Sequence, residues 1–396
     1  MRRFLFLLVL ALAPVFWAEG APNRGLWFWG STTLPGGAPS THGSIDVVGD
    51  PLEELIAVSF MTTYGVKRVY GSYQNRPVSE PGTIADWNAE LDAAGIESQL
   101  LIDGTAVHIP AEVADLQDKI AERLIDFNIL FASNPAKQFD ALHLDLEPQG
   151  TYVWDSDTTG TDKRALLDDL AAVFAAIRTQ LDTAGFASIP IYADIPFFWD
   201  KLPADGGSVA WADTTDRNDW YADLANSLEG LSIMTFSKSS SSALQTATAF
   251  ERSGTFPGEV VVGIQPKTGP GQLWADYASF ETVMLQLESD IGTDEATDLE
   301  NYAFWRHAVA TFIPSLPAAP EVIALPSPGG GGPYVLVKAK PGHKYVLQDT
   351  GGLGATHRWT DVREFTSRFP DRVEEFRLPV RLDRRHHFWR IDRRPL

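Results

Sequence analysis

The segment FDALHLDLEP at residues 139–148 carries ionisable side chains at every second position: His143, Asp145 and Glu147. Side chains alternate along a β-strand, so these three share one face while Leu142, Leu144 and Leu146 share the other. A leucine face suits packing beneath helices, which turns the polar face into an enclosed space. Unpaired buried charge is strongly disfavoured, so the set points to chemistry, with a salt-bridged interior network as the alternative. The chemistry it suits is acid catalysis. An ionised Asp145 and partial burial would both raise the pKa of Glu147, leaving it a proton to give to a departing oxygen at neutral pH. Asp145, one step deeper, would support the reacting centre. His143, deeper still, would hold Asp145 by a hydrogen bond.

The surrounding elements decide whether that face meets a cavity. Short apolar runs alternate with helical stretches along the chain: GLWFWG (25–30), VKRVYGSY (66–73), IESQLLIDG (96–104), ALHLDLEP (141–148), SIPIYADIPFFWD (188–200, with its loop), GLSIMTFSK (230–238), EVVVGIQPK (259–267) and NYAFWRHA (301–308). The intervening segments show apolar residues at helical spacing, as in KRALLDDLAAVFAAIRTQLDTAG (163–185), which a glycine ends. Eight strands of buried character separated by helices predict an α/β fold of the closed (β/α)8 TIM-barrel type over residues 21–315. An open doubly wound sheet would use the same local pattern, but no strand is followed by a glycine-rich phosphate loop. In a barrel, Asp145 and Glu147 come to the C-terminal end of the fourth strand, where such folds assemble active sites.

The strand resembles the active-site strand of family 18 glycoside hydrolases, the chitinases and endo-β-N-acetylglucosaminidases, with pattern F-D-G-x-D-x-D-x-E. Phe139 and Asp140 match its opening, Asp145 its last aspartate and Glu147 its proton donor; Ala141 replaces the glycine and His143 the middle aspartate. MTFS (234–237) is similar to the family's M-x-Y-D element, with Phe236 for tyrosine and Ser237 for aspartate. The resemblance implies a β-linked, N-acetylated glycan whose acetamido group Asp145 would position. Phe236 has no hydroxyl to help, so the donor would come from elsewhere or the substrate would lack the N-acetyl group. Tyr192 and Asp194 share a face of the fifth strand and are candidates for a donor and a second carboxylate. The seventh strand offers Gln265 and Lys267 but no carboxylate near its C-terminal end, which disfavours an acid and nucleophile divided between strands four and seven and favours either assistance by Asp145 or a nucleophile such as Asp194.

Aromatic residues at strand ends, Trp27, Trp29, Tyr70 and Trp305 together with Phe236, would form platforms for sugar rings, with His143 and Gln265 as further contacts; packing is the plainer role for each alone. Asp155, Asp157 and Asp162 lack the spacing of a calcium loop. The histidines form no ligand pattern, and neither a metal nor another cofactor is expected.

The 396 residues are 44% hydrophobic and 21% charged, ordinary for a folded chain, but the formal net charge is −20. That charge, without any sustained basic stripe, argues against a nucleic-acid partner. Arg2 and Arg3 precede an apolar run, Phe4–Ala18, that at about 15 residues is shorter than the ~20 of a membrane span. Residues 1–20 therefore read as a cleaved export signal, and the protein as secreted or periplasmic, with cell-surface association an option, and not an integral membrane protein. There is no cysteine. A Pro/Gly-rich stretch at 316–333 reads as a linker, and the β-rich, turn-punctuated residues 334–396 as a small β-sandwich resembling the modules appended to secreted bacterial hydrolases. The whole reads as a secreted glycosidase acting on a polysaccharide or other glycan. A carbohydrate-binding barrel that has lost catalysis, or a surface protein, are the alternatives.

Overall fold

The computed structural model describes residues 23–105, 107–292 and 297–312, together with the strands Glu321–Leu325, Tyr334–Ala339, His343–Thr350, Thr360–Thr366, Glu374–Pro379 and Phe388–Pro395. The expected export signal lies outside the described residues.

Eight parallel strands close into a barrel in chain order: β1 (Arg24–Phe28), β2 (Val66–Gly71), β3 (Glu97–Gly104), β4 (Ala141–Leu146), β5 (Ile191–Pro196), β6 (Gly230–Met234), β7 (Glu259–Ile264) and β8 (Thr297–Leu299). Closure is made by β8, which pairs with both β1 and β7. Helices surround the barrel, and the strands' outward residues, Leu142, Leu144 and Leu146 among them, join one large apolar core beneath those helices. Local chemistry starts the helices. Asp50 accepts from the backbone amides of Leu52 and Glu53 and is followed by Pro51 at the first helical position of Pro51–Thr63. Asp157 accepts from the amides of Thr159, Gly160 and Lys163, which fastens the start of the helix Thr161–Thr183. Its carboxylate is thus occupied by backbone.

The eighth strand differs from expectation. Residues 301–308, read as a strand for their aromatic content, instead begin the helix Tyr302–Phe312, and β8 is the short TDL segment before it. Asn301 makes the turn, with a left-handed φ of 76° and its side chain accepting from the amide of Ala303. A second difference lies in the expected linker: Glu321–Leu325 is a strand, paired antiparallel with Tyr334–Ala339. The described C-terminal strands form two three-stranded antiparallel sheets, and among the described residues no separate β-sandwich domain is evident.

The barrel interior is polar at the level below the cavity. Tyr70 donates to Asp298 Oδ1 at 2.7 Å, Ser232 donates to the other oxygen of the same carboxyl, and Arg68 forms a two-pronged pair with Glu259 at 2.6 and 2.8 Å. Gly25 leaves room for this network, because a Cβ there would stand 1.9 Å from Asp298 Oδ1 and 2.1 Å from the Tyr70 hydroxyl. We expect Gly25→Ala to cost about 1–3 kcal/mol or more by overpacking a closed interior; urea unfolding checks this, and an unchanged midpoint would count against the packing described.

Candidate active site

Residues from the C-terminal ends of the strands enclose a cavity of about 510 Å³, lined by Trp27, Trp29, Asp103, Gly104, Thr105, Asp145, Glu147, Asp194, Met234, Phe236 and Glu300. Trp27 forms part of its floor. The indole is 1% exposed and stands edge-on to Tyr70 and Phe236, at ring-centroid distances of 5.5 and 5.8 Å. Gly263 on β7 permits this, since a Cβ there would meet the indole at 3.3 Å and the Ile233 carbonyl oxygen at 2.9 Å. Trp29 and Phe236, both half-buried, pack against the Trp27–Tyr70–Leu101 cluster.

Glu147 stands one residue beyond β4, where its amide donates to the Gly104 carbonyl at 2.8 Å. Its Oε1 accepts from Gln149 Nε2 at 2.9 Å, and burial raises its pKa. Asp145 is 7% exposed and its Oδ1 has no hydrogen-bond partner among the described residues. Burial first, then the nearby carboxyls of Asp194 and Glu147, push its pKa well above the carboxylate range.

Asp194 is held on both oxygens. Trp27 Nε1 donates to Oδ2 at 2.9 Å, and His143 Nε2 lies 2.8 Å from Oδ1. The proton in the second contact can be located. Gln99 Nε2 donates to Glu97 Oε1 at 2.7 Å, which turns the Gln99 carbonyl toward His143 Nδ1 at 3.1 Å, so Nδ1 carries the ring proton. Burial pushes the imidazole pKa down to about 3, and a neutral ring protonated on Nδ1 has an acceptor at Nε2. Asp194 must therefore be the donor, in keeping with burial pushing its pKa well up. The pair is a neutral hydrogen bond.

This geometry corrects several expectations. His143 does not hold Asp145; it bonds Asp194 and Gln99, is fully buried, and stacks on Tyr70 at 3.9 Å beneath the cavity lining. Tyr70 likewise belongs to the layer below. Tyr192 shares the face of Asp194 but sits nearer the start of β5, at the opposite mouth, where it borders a depression with Glu97, Asp140 and Pro190 and lies 5.8 Å from the Arg68 guanidinium. Two residues of strand rise separate it from Asp194, so it is no donor for the cavity. Trp305 belongs to the helix Tyr302–Phe312, fully buried against Phe60 and Tyr64. Gln265 is not among the lining residues; its side chain hydrogen-bonds Glu300 and its carbonyl accepts from Trp274 Nε1.

Asp103 and Glu300 were not anticipated. Asp103 sits in register with Asp145 at the C-terminal end of β3. Glu300 follows β8; burial pushes its pKa up to about 7, and its Oε2 lacks a hydrogen-bond partner. The signal for Asp103 was its place at the end of an apolar run. Glu300 was hidden when the eighth strand was read a few residues too late.

No protein-family model matches the sequence, and no curated protein matches it. Solved structures similar to it include a fungal endo-β-N-acetylglucosaminidase of glycosyl hydrolase family 18, at 13% identity over 70% of this chain and 90% of that one, with a TM-score of 0.39. The PgaB (BpsB) glycoside hydrolase domain of Bordetella bronchiseptica is similar at 10% identity, over 71% and 94%, TM-score 0.40. So is the N-terminal domain of a putative aldolase from Bacteroides vulgatus, at 10% identity, over 70% and 72%, TM-score 0.37. The likeness to family 18-type barrels is distant and one of fold.

The Asp145 carboxyl gives a stability signature. A carboxyl that holds its proton more tightly when folded stabilises the fold fully below its unfolded pKa of about 3.9, and that contribution is lost as pH rises toward the folded value. Asp145→Asn has no such proton to lose. Its stability relative to the wild type should therefore increase as the pH is raised from about 4 to 8. Urea unfolding at both ends checks it; a difference independent of pH would contradict the assigned shift.

Proposed function

We propose that the protein is a glycoside hydrolase in which Glu147 is the proton donor and Asp145 the assisting carboxylate. The observation that carries this is the pairing of these two carboxyl groups, from one strand end, in a single cavity walled by Trp27, Trp29 and Phe236. Hydrolysis of a glycosidic bond needs one carboxyl protonated and one ionised. Like charges sharing a desolvated cavity cannot all ionise, because ionising one makes the next harder to ionise; the assisting role requires that Asp145 be the group that gives up its proton once substrate is bound. Glu147 passes its proton to the leaving oxygen as the bond from C1 breaks. Water then completes the reaction at C1, and its proton is returned to a carboxylate. Asp194, with both oxygens engaged, has a positioning role: it fixes the Trp27 indole against which the sugar would lie. Phe236 contributes an apolar wall in place of a hydroxyl.

Residues 1–20 support export, which suits an enzyme acting on an extracellular or periplasmic glycan, and the β-strands after residue 320 would accompany the barrel as an accessory module. A carbohydrate-binding barrel without turnover is the second reading, favoured by the absence of a hydroxyl at Phe236.

Glu147→Gln should lower kcat/KM on a cleaved glycan by about 10²–10⁴-fold, the range for loss of a general acid. Product release from a glycan panel tests this: an unaffected rate removes Glu147 from the role, and no turnover by the wild type favours the binder. Glu300→Gln removes a like charge acting on Asp145. The acidic limb of the pH–rate profile, where the assisting carboxylate ionises, should then move to lower pH; a limb that stays in place separates Asp145 from that step.

A further inference from the structure

The described lining of the cavity holds five carboxyl groups, Asp103, Asp145, Glu147, Asp194 and Glu300, and no lysine, arginine or histidine. Several enclosed acids elsewhere in the chain are paired with cations: Glu288 with Arg24 at 2.5 Å, Glu259 with Arg68 at 2.6 Å and Glu53 with Arg306 at 2.8 Å. Lys267 acts on Glu300 from outside the lining, with its Nζ 4.3 Å from the centre of the Phe304 ring. In the cavity Asp145, Glu147 and Glu300 share one space with no cation in the described lining, so ionising them there is costly unless a ligand supplies the opposite charge.

The cavity also holds open hydrogen-bond acceptors. Asp145 Oδ1 and Glu300 Oε2 are acceptors without partners, and Asp145 is 7% exposed and lines the cavity. The Trp27 N–H is committed to Asp194. An ammonium group has three donors and no acceptor, the complement of these open oxygens, whereas an acetamido group brings one N–H and a carbonyl that asks for a donor in turn. The indoles of Trp27 and Trp29 add faces to which a cation is attracted. Among the described residues no three His, Asp or Glu side chains converge to hold a metal ion, so the acids do not read as a metal cage.

Negative charge near the reacting carbon would also serve the cationic transition state of any glycosidase. The acidity here reaches further. Asp103, exposed at the rim, is shared with an adjoining depression that also contains Glu112, and neither forms an ion pair among the described residues. In that depression Lys119 is already engaged by Asp115 at 2.6 Å. Charge laid along a track outside the reacting centre meets neighbouring units of a polymer.

We propose that the cavity and this track bind a glycan whose sugars carry free ammonium groups, a de-N-acetylated amino sugar polymer. For cleavage the inference rests on the glycosidase reading; for binding it stands alone. A bound ammonium would also favour ionisation of a nearby carboxyl, so the substrate itself would help create the assisting carboxylate.

Isothermal titration of the Glu147→Gln protein with chitosan oligosaccharides, and with the same oligosaccharides after chemical N-acetylation, tests the proposal with the linkage held constant. The amine form should bind at least about tenfold more tightly at neutral pH and low ionic strength, roughly 1.4 kcal/mol. The preference should shrink with added salt and in a Glu147→Gln, Asp103→Asn double variant. Equal or stronger binding of the acetylated form overturns the proposal, as does failure of both forms to bind. Assay of the wild type on both forms separates the two readings. Amine-selective binding with no cleavage of either form counts against the hydrolase and leaves this inference standing. Cleavage with selective binding of the acetylated form does the reverse.

Discussion

Three strands meet at one carboxyl group. The Trp27 indole from β1 and the His143 imidazole from β4 converge on Asp194 of β5, and that junction sets the position of the indole at the cavity floor. Inside a closed barrel an unpaired polar group is costly, and here the polar groups of this layer are satisfied by one another. The consequence runs downward from Asp194 through His143 and Gln99 to Glu97. Beside that chain Tyr70 stacks on the imidazole and donates to Asp298. Most TIM barrels fill this space with branched aliphatic side chains; here a connected polar network does so, and it leaves the indole of Trp27 with one orientation.

Above that layer the same low dielectric has the opposite effect. The groups beneath are paired and therefore quiet. Those facing the cavity are not, and burial holds protons on carboxyls that water would strip. Fold and reactivity thus share one cause. A barrel long enough in its strands to seat a satisfied network also exposes, at their C-terminal ends, acids whose neighbours are other acids.

The residues show where sequence reasoning was sufficient. Alternation in ALHLDLEP separated the leucines, which do lie under the helices, from the ionisable set. Strand order and barrel closure followed from the repeating pattern of short buried runs and helices. Partners were less legible. His143 was expected beside Asp145 because the two are neighbours along one strand face, yet the stagger between adjacent strands brings it to Asp194 of the next strand. Tyr192 and Asp194 were treated alike for sharing a face, although two residues of rise carry them to different levels of the barrel. The eighth strand was misplaced because its three residues, TDL, are too few to show a period, while the aromatic helix after it resembles a strand in composition. That shift concealed Glu300 and brought Trp305 to a mouth it does not reach.

The sequence by itself determined the class of fold, the strand that carries the two carboxyl groups, and the end of the barrel to which they come, because hydrophobic period and side-chain alternation are local properties. Tertiary structure alone decided which group each of them faces. His143 became a buried partner of Asp194, Asp194 a protonated anchor for Trp27, and Asp103 and Glu300 the further acids of the cavity. Those outcomes depend on register between strands and on burial away from bulk solvent, and neither is written in the spacing of residues along one strand.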